Sequence, residues 1–166
     1  MKILALDPSL SSTGFALFNT KTKKELITQG KITTNNKDSR DVRIQNIIYL
    51  LSSEFKTDLD AVILEDGYVG TNASSSLKLA ELRGALIFFY KYNNIDVIHR
   101  LPTEIRKNFG LKGNAKKEDV AKEVLKYYPK LINDVGPYSD KANKQKTSDI
   151  YDAISIGLSY IIHLKE

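Results

Sequence analysis

Four carboxylates stand where a fold could bring them together. Asp7 ends the apolar run Ile3-Leu4-Ala5-Leu6-Asp7. Glu65 ends a second run, Ala61-Val62-Ile63-Leu64-Glu65. Asp149 and Asp152 open the last apolar segment, Ser148-Asp149-Ile150-Tyr151-Asp152-Ala153-Ile154. Two acids at strand ends and two at a helix start can meet at one spot of an α/β fold. Packed together, bare carboxylates repel and raise one another's pKa, so cations must neutralise them. Hard oxygen ligands suit Mg²⁺, with Mn²⁺ able to substitute. The commonest chemistry of such a site is two-metal cleavage of a phosphodiester.

Each acid also has a plainer reading. Asp-Pro commonly starts a turn, which would account for Asp7. Glu65 could mark the point where a strand reaches solvent. Asp149 in a first helical turn would favour the positive end of the helix dipole. Asp152 lies deeper and is harder to explain that way. Three residues apart, it stands about 60° from Asp149 around the helix, at the edge of the apolar stripe. Asp66 points to the opposite side of the strand from Glu65, so only one of the two can join a site. The conjunction of the four acids favours the metal reading.

The elements that must position them can be read from periodicity. Residues 2–7 read as a buried strand, Pro8 to Ser12 as a turn and Thr13 to Phe18 as a second strand. After a polar turn at 21–24, Glu25 to Ile32 completes an antiparallel meander. Asp38 or Ser39 can cap a helix with Ile44, Ile47, Ile48, Leu51 and Phe55 at helical spacing. Ala61 to Glu65 is apolar throughout and reads as a central strand covered on both faces. A helix follows from about 74 to 93, with Leu79, Leu82, Leu86 and Phe89 on one face. Residues 95–100 form another strand. Pro102 opens a short helix, and 116–127 forms a further one with Val120, Val124 and Tyr127 inward. Residues 129–147 are the least regular and read as a mobile loop. The final helix covers 149–164. This order predicts an α/β fold: a mixed five-stranded sheet flanked by helices on both faces. The length predicts one domain, residues 1–166.

Composition narrows the function classes. There is no Cys, which excludes disulfides, thiolate catalysis and Cys-ligated zinc. No apolar run approaches the ~18 residues of a membrane span. The N-terminus has no signal-peptide pattern, so a cytoplasmic protein without membrane contact is expected. Net charge is +5, too modest to establish nucleic-acid binding by itself. Its distribution is more informative, because cations concentrate in Arg106 to Lys117 and in Lys141 to Lys146. Cations beside clustered acids fit a polyanion held over a metal site.

These motifs carry a resemblance. Ile3 to Ser9 with Thr13-Gly14-Phe15-Ala16 resembles the first hairpin of the RuvC family of Holliday-junction resolvases, within the ribonuclease H-like superfamily. Leu64-Glu65, Asn72-Ala73, Ser76-Leu77-Lys78-Leu79 and Arg83-Gly84 resemble that family's second acidic segment and following helix. Asp149-Ile150-Tyr151-Asp152-Ala153 matches its closing Asp-x-x-Asp-Ala motif. The resemblance covers nearly the whole chain and implies a ribonuclease H-like fold. It implies that Asp7, Glu65, Asp149 and Asp152 are catalytic and bind two Mg²⁺ per site. It implies a homodimer that nicks four-way junctions or other branched DNA. Tyr68 falls where the family places an aromatic near the junction centre, where it can stack on a base. Arg106 and Lys117 align with basic residues near the phosphate, and Lys116 is an adjacent candidate. Lys141, Lys144 and Lys146 extend a segment that looks longer than the family's and would grip DNA. That segment and Asp66-Gly67 before Tyr68 bear on sequence preference and junction specificity, and leave the metal chemistry intact.

Other readings compete. An actin-like ATPase also uses an early Asp, but only one such hairpin is present and the length leaves no room for a second half. A catalytically weak module could hold branched DNA without cutting it, though all four acids are intact. A ribonuclease H-like nuclease could act on RNA-containing substrates. His99 and His163 are assigned no catalytic role.

Overall fold

The computed structural model describes residues 1–21, 25–55, 59–66, 73–140 and 146–164. Its strands are β1 (Lys2–Asp7), β2 (Ser12–Asn19), β3 (Glu25–Thr33), β4 (Ala61–Glu65) and β5 (Asp96–Arg100). Its helices are α1 (Arg40–Phe55), α2 (Ala73–Tyr92), α3 (Pro102–Asn108), α4 (Lys117–Tyr127), α5 (Leu131–Asp134) and α6 (Ser148–His163). The sheet runs in the order β3-β2-β1-β4-β5. The meander β1–β2–β3 is antiparallel, while β4 and β5 join β1 in parallel. The five-stranded mixed sheet is the one expected from the sequence.

Alternation along the central strands divides the core in two. Ile3, Ala5 and Ile63 face one layer, with Ile154, Ala153 and Ile161 of α6 and Val124 of α4. Leu4, Leu6, Val62 and Leu64 face the other, with Ile47 and Leu51 of α1 and Leu82 and Leu86 of α2. A strand buried on both faces must be apolar throughout, and β1 from Ile3 to Leu6 and β4 from Ala61 to Leu64 are. Ser39 starts α1: its Oγ accepts from the Val42 amide at 3.4 Å.

Three details depart from the sequence reading. Tyr127 is 44% exposed, because Val120, Ala121 and Val124 already fill the buried side of α4. On α2, Tyr90 rather than Phe89 continues the fully buried line of Leu82 and Leu86. The stretch expected to be a mobile loop holds α5, and Leu131, Val135 and Tyr138 pack into the α6-side core. Thr147 ties its end down, accepting from the Ser139 amide at 2.9 Å and donating to the Pro137 carbonyl at 2.7 Å.

Candidate active site

β1 and β4 pair with Leu6 opposite Leu64, so Asp7 and Glu65 follow side by side at the carboxyl ends of adjacent strands. Such strands lie about 4.8 Å apart. Both acids continue the Ile3, Ala5, Ile63 series, which faces α6. The register of β1 with β2 puts Gly14 directly opposite Asp7. A Cβ on Gly14 would overlap the main-chain carbonyl of Asp149. Only glycine there lets the first turn of α6 settle onto the sheet, with Asp149 and Asp152 above Asp7. Farther along, Gly157 does the same against the Phe18 ring.

The electrostatics register the crowding. Burial pushes the Asp7 carboxyl well above its usual range, and Asp152, Glu65 and Asp149 push it further. Glu65 is raised by burial and by Asp152. Asp152 is raised by burial, with Lys117 pulling the other way. Asp149 is buried, and its Oδ2 has no hydrogen-bond partner.

Cations answer these acids. Lys117 Nζ donates to Asp152 Oδ2. Burial alone would lower the Lys117 pKa, but Asp152, Asp7 and Glu65 outweigh it and hold the ammonium charged. Lys146 Nζ stands 3.4 Å from Asp149 Oδ1, and Lys31 Nζ donates to the Lys146 carbonyl at 2.6 Å. Arg106 is anchored by Nε to the Ala115 carbonyl at 2.9 Å, and its charge acts on Glu65. Lys116 is exposed at the residue before α4. Tyr68, Lys141 and Lys144 lie outside the described residues.

Arg83 belongs to this site too, although the sequence assigns it no role beyond its Arg83-Gly84 motif. It approaches Asp66, Glu65 and Asp7, and its burial lowers its pKa. That motif on α2 is the signal in the sequence that could have found it. Asp66 turns instead to β5, where its Oδ1 lies 2.9 Å from His99 Nδ1.

Among the described residues, no three Asp, Glu or His side chains form a finished metal cage. The donor set nevertheless fits a hard divalent cation. It offers carboxylate oxygens only, held half-neutralised by lysines, and one of those oxygens is buried without a partner.

A family model described as crossover junction endodeoxyribonuclease RuvC matches residues 3–160. The RuvC of Ehrlichia canis (strain Jake) is 29% identical over 164 residues, covering 96% of each chain. That of Rickettsia akari (strain Hartford) is 32% identical over 124 residues, 72% of this chain and 78% of the relative. In fold, the chain is similar to Thermus thermophilus RuvC in complex with Holliday junction substrate. That match has a TM-score of 0.74 at 17% identity and covers 99% of this chain and 95% of the other. It is also similar to the fowlpox virus resolvase bound to Holliday junction DNA, with a TM-score of 0.64 at 22% identity over the whole of both chains. Among the described residues, no helix is long and apolar enough to cross a membrane. With the family model spanning nearly its full length, the chain belongs to the RuvC family of crossover junction endodeoxyribonucleases, metal-dependent DNA hydrolases.

Proposed function

We propose that this protein nicks four-way DNA junctions as a homodimer, using two Mg²⁺ per site held by Asp7, Glu65, Asp149 and Asp152. The observation that carries this reading is the shared face of Asp7 and Glu65, onto which the first turn of α6 brings Asp149 and Asp152. Bound there, the ions supply an activated water and neutralise charge on the scissile phosphate. The chain's own part is placement. The paired strands fix Asp7 and Glu65, and Gly14 sets the height of α6. Lys117, Arg106 and Arg83 keep the cluster charge-compensated and favour an incoming phosphodiester. All 166 residues act as one nuclease domain.

Two sites related by a two-fold axis match paired nicks across a pseudo-symmetric substrate. The exposed face of α2 supports pairing. Leu77 is 64% exposed, Phe88 70% and Tyr92 77%, and the last two rings stack at 5.8 Å. These three lie within about 60° of one another around the helix, with Glu81, paired to Arg40, between Leu77 and Phe88. The exposed Phe88–Tyr92 pair is an apolar patch of the kind that marks an interaction surface. Of the Phe88-Phe89-Tyr90 run, only Phe88 is well exposed.

The test is cleavage of labelled four-way, three-way and linear DNA, and of an RNA–DNA hybrid, with Mg²⁺ or a chelator. Mg²⁺-dependent symmetric nicks in the four-way substrate are expected. Binding without cutting, or preference for the hybrid, would overturn the reading.

A further inference from the structure

A cleft of about 320 Å³ opens beside the acids, between the β1–β2 turn, α1 and α2. Ser9 and Ser11 line one wall, Arg43 another, and Ser75 and Lys78 a third. Among the described residues, no carboxylate lines it. The neighbouring acid Glu81 is engaged elsewhere, with Arg40 Nε at 2.8 Å. Two cations and three hydroxyls therefore converge, with no acid of the described residues between them.

Arg43 is held in place. Its Nε donates to Thr34 Oγ1 at 2.8 Å, and the same hydroxyl donates to the Leu10 carbonyl. That chain of bonds fastens the guanidinium to the turn that follows Asp7. Ser9 is only two residues from Asp7, a reach of at most about 7 Å along the chain. Ser75 lies in the first turn of the 20-residue helix α2, whose positive end adds to the field. Arg, Lys and Ser are the side chains that grip DNA phosphates without reading sequence.

We propose that this cleft holds a backbone phosphate next to the one that is cut, with Arg43 and Lys78 as its cationic ligands. The inference rests on the reading that the chain acts on DNA. Its role is register: gripping the neighbouring phosphate sets which phosphodiester lies over the acids.

The experiment measures junction binding by Arg43→Gln, Lys78→Gln, Lys78→Arg and a control, Lys21→Gln, at several salt concentrations. Each Gln variant should weaken binding about tenfold or more, the scale of a missing charge-assisted hydrogen bond. The log-log salt slope should flatten by about 0.9 for each phosphate no longer neutralised. Lys78→Arg should keep most of the affinity, and Lys21→Gln should match wild type. A second arm needs no folded variant. Single methylphosphonates, walked along the strand within two nucleotides of the cut, remove one phosphate charge at a time. One position should weaken wild-type binding yet cost little more in Lys78→Gln. If no position behaves so, or if both Gln variants bind with wild-type affinity and slope, the subsite is wrong. Wild-type cutting in Mg²⁺ with these results would sink this inference alone. Absence of wild-type cutting would sink the nuclease reading instead.

Discussion

Gly14 and Asp149 touch through their backbones: the face of Gly14 that would carry a side chain is covered by the Asp149 carbonyl. This packing sets how close α6 lies to β1. Gly14→Ala must lift the first turn of α6 or shift β2, carrying Asp149 and Asp152 away from Asp7. Overpacking of this kind costs about 1–3 kcal/mol. The expected outcome is a lower Tm and loss of cleavage that added Mg²⁺ does not restore. Wild-type Tm and rate for Gly14→Ala would refute the placement of α6.

The acid cluster should destabilise the metal-free protein near neutral pH. Asp7 and Glu65 are raised above their ordinary values by burial and by the other acids. A carboxyl raised on folding favours the folded state most below its unfolded pKa, and that contribution is lost as pH rises through the folded value. Asp7→Asn and Glu65→Gln should therefore raise the Tm of metal-free protein at pH 7. The gain should shrink as pH falls through the carboxylate range. Denaturation scans in chelator across pH check this, and a lower Tm for both variants at pH 7 would contradict it.

Metal affinity should run the other way with pH. Ligands must lose their protons to bind, and Asp7, Glu65 and Asp152 lose them later than ordinary carboxylates. Mg²⁺ affinity should climb with pH beyond the range where free Asp and Glu are already ionised. At 100 times its Kd, the ion should stabilise the fold by about 2.7 kcal/mol. Isothermal titration at several pH values measures both affinity and proton release. Flat affinity with no proton release would count against these residues as ligands.

Much of the site is legible in the sequence because the acids terminate strong patterns. From Ile3 to Leu6 and from Ala61 to Leu64, β1 and β4 are apolar, so Asp7 and Glu65 stand out as breaks. Odd–even alternation also separates Glu65 from Asp66 correctly, and Asp66 pairs with His99. What periodicity cannot show is how distant segments meet. Lys117 on Asp152, Lys146 on Asp149 and Arg83 near Glu65 depend on how helices land on the sheet. Gly14 reads only as part of a hairpin, since its meaning lies in a helix more than a hundred residues away. Tyr127 misleads because its helical position suits a core, while smaller Val and Ala residues fill that space.

The exposed face of α2 makes dimerisation testable without DNA. Phe88→Asp replaces one ring of the Phe88–Tyr92 pair with a charge, on a surface where nothing in the chain's own core is disturbed. Sedimentation at tens of micromolar should show wild-type dimer and variant monomer with unchanged Tm. A wild-type monomer that resolves junctions fully would remove the dimer from the account.

The central claim is that the four acids form one metal-dependent cutting centre. It is tested most directly by single-turnover cleavage of a four-way junction at saturating protein, comparing wild type with Glu65→Gln and Asp152→Asn in Mg²⁺. Each variant keeps side-chain shape and removes an anionic ligand. The rate should fall by more than about 10²-fold, since loss of even an outer-shell partner costs 10–100-fold. Junction affinity should hold or improve, because less negative charge faces the phosphates. Wild-type cleavage rates in both variants would contradict the account.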